Sequence, residues 1–183
     1  MNTRDSVGDM ATYLVSGPSG SGKSTVGREL QSRGFKVVET DFEPDLSGWF
    51  NNRTGEKVTS LPPQPASKEW FESHSWLWNP GKVKELVSNS KAEPVFFCGG
   101  AYNEKDFYSL FDVRFALYAD SETLVNRLRI REPKRWVDGS PALLQLLDWN
   151  SRFKEYSLNS GAILINSTKS TKVITDKILS HIN

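Results

Sequence analysis

Cysteine is almost absent: Cys98 stands alone among 183 residues, so no disulfide can form within the chain. That scarcity fits a reducing compartment, and the cytoplasm is the expected location. Only two histidines accompany it, which makes a protein-built zinc site improbable. No apolar run approaches the roughly 20 residues of a membrane span. Residues 1–10 are polar, lack the apolar centre of a signal peptide and read as a loose tail, with Met10 an alternative start. Net charge is nearly missing too. The 23 basic and 22 acidic residues leave +1, which argues against binding nucleic acid by bulk attraction.

What remains is an ordinary folding composition, 37% hydrophobic and 25% charged. Residues 11–183 are expected to form one domain, a monomer or homodimer, whose partner is a small molecule. Apolar runs alternate with helical stretches, which indicates an α/β fold with a mainly parallel sheet. Strands are expected at 12–16, 35–39, 94–98, 113–119 and 162–166. Helices are expected at 23–33, from Pro80, at 103–110, after Asp120, from Pro141 and from Ser170. Residues 42–79 are the least regular stretch, broken by Pro62, Pro63 and Pro65.

The sharpest signal is Gly17-Pro18-Ser19-Gly20-Ser21-Gly22-Lys23-Ser24-Thr25, which satisfies G-x-x-x-x-G-K-[ST]. It lies between a short apolar strand and a helix, where its mechanism requires it. The glycines let backbone N–H groups turn inward around phosphates, and the helix N-terminus adds partial positive charge. Lys23 is suited to the terminal phosphates and the Ser24 hydroxyl to magnesium. The bland alternative is a glycine-rich turn opening an ordinary helix. No Asn-Lys-x-Asp pattern of guanine reading accompanies the loop.

Further motifs extend the pattern: Glu39-Thr40-Asp41 at the second strand exit, Cys98-Gly99-Gly100 at the third, and Arg152 four residues before Tyr156. On these residues the chain resembles the small P-loop kinases, the group of shikimate, gluconate and nucleoside monophosphate kinases. The resemblance runs from Thr12 onward. It implies a three-layer α/β sandwich: a five-stranded parallel sheet flanked by helices, with a lid and a substrate-binding helical flap. It implies ATP and Mg2+ as cofactors, with Gly17, Ser19, Gly20, Ser21, Gly22, Lys23, Ser24 and Thr25 around the nucleotide. Ser24 and Glu39 would lie near the metal. Asp41, Gly99, Gly100, Trp70 and Arg152 would meet the acceptor, and Lys23, Asp41, Arg127 and Arg131 would carry the transfer.

The pattern departs from that family in two places. No aspartate ends the third strand, so Glu39 or Asp41 must organise magnesium. The segment that binds a carboxylated substrate in shikimate kinases has no clear arginine and is rich in tryptophan instead, at Trp49, Trp70, Trp76 and Trp78. These rings are either core of the flap or a stacking wall for a flat acceptor. His74 among them reads as structural, and Cys98 as a small buried filler.

The run Arg127 to Arg135 holds five cations and one anion. Its bland role is to complement a helix C-terminus; its functional role is to meet a transferring phosphoryl. Arg127 and Arg131 share a helical face, Arg129 points elsewhere, and Arg135 belongs to the lid. The second strand is expected beside the phosphate-loop strand, which would open Asp41 onto the transferring group. The resulting expectation is ATP-dependent phosphoryl transfer to a small acceptor, with a nucleoside or nucleotide favoured. A hydroxylated metabolite, an antibiotic, or a switch that only hydrolyses ATP are the alternatives.

Overall fold

The computed structural model describes residues 11–60, 62–63, 66–90 and 93–182. The expected N-terminal tail, Pro65 and Asn183 lie outside the described residues. The chain runs β1 (Thr12–Ser16), α1 (Lys23–Ser32), β2 (Lys36–Glu39), β3 (Ser47–Asn51), α2 (Lys68–Ser73) and β4 (His74–Trp78). It continues through α3 (Pro80–Asn89), β5 (Val95–Cys98), a 3-10 helix (Glu104–Leu110), β6 (Val113–Tyr118), α4 (Ser121–Arg131), α5 (Pro141–Asn159), β7 (Ile163–Asn166) and α6 (Thr171–Leu179).

Five strands form one parallel sheet in the order β2-β5-β1-β6-β7. Side-chain alternation divides its core between two faces. Tyr13, Val15, Phe96 and Cys98 point toward Val26 and Leu30 of α1 and Ile174 and Ile178 of α6. Leu14, Val95 and Phe97 point the other way, toward Val83 of α3 and Phe107 of the 3-10 helix. A third cluster joins Leu124 and Leu128 of α4, Leu143 and Leu146 of α5, and Trp136 of the loop between these helices. The three-layer α/β sandwich follows from these two apolar faces.

Helix starts follow local chemistry. Asn79, Asp120 and Ser140 accept hydrogen bonds from first-turn amides of α3, α4 and α5, with proline in the first turn of α3 and α5. The short helix expected at 103–110 is of the tighter 3-10 kind.

Two expectations are corrected. The second strand is not beside β1, because β5 lies between them. The burial pattern gives the reason: every residue of β5 is buried, as a central strand requires, whereas β2 begins on exposed Lys36 and suits an edge. The flap, expected to be helical, has only the six-residue α2 as helix. Its main element is the antiparallel pair β3–β4, in register Trp49 to Trp76 and Phe50 to Ser75. Its strands carry Trp and Phe, which favour a pleated, half-buried surface.

The hairpin is tied to the end of β5. Asn103 brackets Trp78, accepting from its backbone N–H at 2.9 Å and donating to its carbonyl at 2.9 Å. Tyr102 N–H donates to the Trp76 carbonyl at 2.9 Å. These bonds place the flap over the strand exits.

Candidate active site

Gly17, Gly20 and Gly22 all adopt positive φ (156°, 82° and 97°), and the last two lie in the left-handed region. A Cβ on Gly22 would project into open space, the hollow of the loop, whereas one on Gly17 would strike the Leu117 carbonyl and Ser21 Oγ at 2.6 Å. No side chain caps α1. The first-turn amides of Lys23, Ser24 and Thr25 are therefore available to an anion. Ser21 is fully buried, and its Oγ has no hydrogen-bond partner.

Lys23 Nζ donates to the loop's own carbonyls, Gly17 at 2.8 Å and Pro18 at 3.1 Å. Burial pushes its pKa down. The negative charges of Asp41 and Glu104 push it back up, and the positive charge of Arg131 adds to the lowering. The charges of two carboxylates and a guanidinium thus act on the lysine. Donors of this kind fit a triphosphate, and Ser24 with the carboxylates fits a hard cation that takes oxygen ligands. Among the described residues no group of three His, Cys, Asp or Glu side chains forms a metal cage. A magnesium ion would accordingly share its ligands with phosphate oxygens.

Asp41 is exposed just past β2, and Glu39 is half-buried. Glu39 pairs in register with Cys98, whose thiol is pushed up to about 12, mainly by burial and also by the Glu39 charge. Cys98 is consequently a neutral filler at the centre of the site. Gly99 is fixed by its surroundings: an added Cβ would lie 1.6 Å from Thr40 Oγ1. Thr40 N–H donates to the Cys98 carbonyl at 3.0 Å, and Gly99 N–H to Val15 at 3.1 Å. The exits of β1, β5 and β2 are thereby drawn together, and the charge of Asp41 acts on Lys23 across the intervening strand.

The arginines separate into distinct positions. Arg131 acts on Lys23. Arg127 instead donates to the Gly20 carbonyl at 3.2 Å and the Ser167 carbonyl at 2.8 Å, bracing the back of the phosphate loop. Arg129 holds the loop after α4 by donating to the Trp136 carbonyl at 3.0 Å and to Asp138 at 2.5 Å. Arg135 lies over the ring of Trp136. Arg152 is exposed on α5 and paired with Asp148; burial raises the pKa of the Tyr102 phenol, opposed by the charge of Arg152.

The tryptophans divide as well. Trp78 is core, only 2% exposed. Trp49, Trp70 and Trp76 pack edge to face, and Trp70 stacks on His74 at 4.5 Å. Phe71 of α2 packs against the cluster formed by α4, α5 and Trp136. The flap therefore touches the side of the molecule formed by α4, α5 and the loop between them.

Sequence reasoning missed Glu104. Its carboxylate lies over Gly100, with Oε2 3.2 Å from where a Cβ would be. Oε1 accepts from the Tyr108 hydroxyl at 2.9 Å. Burial raises its pKa, opposed by the Tyr108 bond and by the charges of Lys23 and Arg114. An acidic residue four places beyond the glycine pair is the one sequence signal that could have marked it.

Three solved structures share this fold. A shikimate kinase from Acinetobacter baumannii in complex with shikimate matches with a TM-score of 0.59 and 20% identity, covering 94% of this chain and 92% of its own. A deoxyadenosine kinase from M. mycoides with bound dATP matches at 0.53 and 13%, covering 94% and 99%. A gluconokinase from Sinorhizobium meliloti 1021 matches at 0.53 and 15%, covering 94% and 91%. Comparison with curated proteins found no match. The family model described as AAA domain matches residues 14–140, more than half of the chain, and with its phosphate loop between β1 and α1 the protein belongs to that family.

Proposed function

We propose that the protein transfers the γ-phosphoryl of ATP, with magnesium, to a hydroxyl of a small-molecule acceptor, a nucleoside or nucleotide being the favoured class. The observation that carries this reading is Lys23, set at an uncapped helix start, donating to the loop carbonyls and acted on by the charges of Asp41, Glu104 and Arg131. ATP would supply the phosphoryl group, and magnesium would neutralise charge on its oxygens.

The chain's own residues supply position and charge. The first-turn amides of α1 and the ammonium of Lys23 bind phosphate oxygens, which requires Lys23 to leave the carbonyls of Gly17 and Pro18. Ser24 offers a hydroxyl to the cation and Glu39 a carboxylate at the adjacent exit. Asp41 holds the attacking hydroxyl in line or takes its proton. Arg131 adds positive charge where negative charge spreads over the transferring group. Arg127 holds the loop in shape. The acceptor would lie under the flap beside Gly99 and Gly100, with Trp70 and Arg152 as further contacts. The kinase names of the three structural relatives support this reading.

Incubating the protein with labelled ATP and a pooled metabolite library tests it. A labelled small product is expected. Phosphate release without such a product would instead mark a nucleotide-hydrolysing switch.

A further inference from the structure

The acceptor side of the site has a charge pattern of its own, and the following rests on the kinase reading above. Glu104 is drawn to the cleft by the 3-10 helix that begins with it. Its Oε1 is engaged by Tyr108, the Ala101 backbone N–H also bears on the carboxylate, and Oε2 lies 3.2 Å from where a Cβ on Gly100 would stand. Tyr108 is itself held: the Arg114 guanidinium lies 3.8 Å over its ring, and its hydroxyl is 3.5 Å from that of Tyr156. Arg114 in turn donates to the Ser160 carbonyl. The chain Ser160–Arg114–Tyr108–Glu104 fixes one carboxylate, with Oε2 turned toward Gly100 and clear of the Tyr108 bond.

The two cations whose charge acts on Glu104, Lys23 and Arg114, are already bonded to backbone carbonyls. Lys23 and Arg131 belong to the phosphate end, and Arg114 lies behind Tyr108. Arg152 pairs with Asp148, and in the flap Lys57 pairs with Asp45 and Lys68 with Glu72. Carboxylates dominate instead, with Asp41 and Glu104 both acting on Lys23 and Glu39 beside them. A phosphate or carboxylate on the acceptor would meet like charge here, whereas a hydroxyl would find an acceptor oxygen.

We propose that Glu104 is a second acceptor-binding carboxylate, whose Oε2 takes a hydrogen bond from an acceptor hydroxyl other than the one phosphorylated. It thereby selects neutral, polyhydroxylated acceptors such as nucleosides over phosphorylated or carboxylated ones. Tyr108 is a positioning residue that aims it. The carboxylate is kept against its own solvation: its folded-state pKa is raised, so its penalty is full above that pKa and fades as pH falls through it. Removing the charge therefore should not weaken the fold.

The test uses the full chain saturated with a non-hydrolysable ATP analogue and magnesium. Adenosine, cytidine, guanosine, uridine, their 5′-monophosphates, shikimate and gluconate are titrated, with tryptophan fluorescence as the readout. At least one nucleoside should bind more tightly than its monophosphate and than either acid. In Glu104→Gln, Tyr108 can engage the amide oxygen, which turns the amide NH2 to the cleft. Nucleoside affinity should then fall about tenfold or more, the scale of a hydrogen bond to a charged group. Binding of the analogue and the Tm should hold, or the Tm should rise.

Tyr108→Phe keeps the charge and should give a smaller, severalfold loss of nucleoside affinity. It carries the test if Glu104→Gln does not fold. The proposal is overturned if every nucleoside binds more weakly than a monophosphate or acid, or if no probe binds. Unchanged affinity in the variants, or loss only in step with Tm, overturns it too. A labelled anionic product in the pooled assay would sink this assignment and leave the kinase standing, whereas phosphate release alone would sink the kinase.

Discussion

The phosphate end and the acceptor end of this site are built by different means. At the phosphate end, backbone does most of the work: left-handed glycines, uncapped amides and one lysine, all within one strand–loop–helix unit. At the proposed acceptor end, side chains do it: a hairpin, Trp70 and Trp76 each packed on Trp49, and a carboxylate brought in by a 3-10 helix. A backbone cradle suits a ligand part that every nucleoside triphosphate shares. A side-chain pocket suits the part that distinguishes one acceptor from another. The two ends meet at Lys23, where Asp41 and Glu104 act together.

Substitutions can break or sharpen this division. The largest effect is expected at the meeting point: Lys23→Ala should lower turnover by about 10²–10³-fold, the scale of losing one preorganised charge at a developing oxyanion. The circular-dichroism melt should stay near that of the parent, because Lys23 is desolvated and bonded only to loop carbonyls. Unchanged turnover would remove the phosphate end from the mechanism. Next, Asp41→Asn should cut kcat by about 10²-fold, the range of a lost general base, with KM for ATP little altered. A fall in ATP affinity of the same size would assign Asp41 to the phosphate end instead.

A third substitution probes the wall. Trp70→Ala should weaken acceptor binding by roughly tenfold, within the range for a stacked base, and leave kcat nearly intact. If kcat falls and affinity holds, the ring supports the flap and does not line the pocket. The smallest effect is expected for Ser24→Ala, which should raise the magnesium concentration needed for half-maximal rate by about severalfold, water replacing the lost oxygen. A magnesium titration identical to that of the parent would leave Ser24 as the first turn of a helix and nothing more.

The same division decides what the sequence disclosed. The loop, β1 and α1 were legible because strand, glycine spacing and helix start are contiguous and each has a local cause. Asn79-Pro80 and Ser140-Pro141 were legible for the same reason. The β3–β4 hairpin was not, since its strands are separated by residues 52–73 and pair through non-local contacts that no tight turn announces. The sheet position of β2 was missed because the choice between edge and centre rests on burial of both faces of β5. Arg127 and Arg131 share a helical face in sequence. Only the approach of Gly20 and Ser167 to one, and of Lys23 to the other, separates them. Glu104 was overlooked because its meaning depends on a bend that returns it over Gly100.

The position of Phe71 has a consequence for the order of events during turnover. This ring belongs to the flap yet shares an apolar surface with Leu143, Leu146 and Trp136, which border the lid. Parting the two would expose hydrocarbon on both, so an opening at either end is opposed by the other. Occupancy of one substrate site that steadies this seam lowers the cost of steadying it again for the second. By thermodynamic reciprocity, whatever factor the acceptor adds to nucleotide affinity the nucleotide must add to acceptor affinity. On the proposed reading, a single phenyl ring would couple two substrates that need not touch until the moment of reaction.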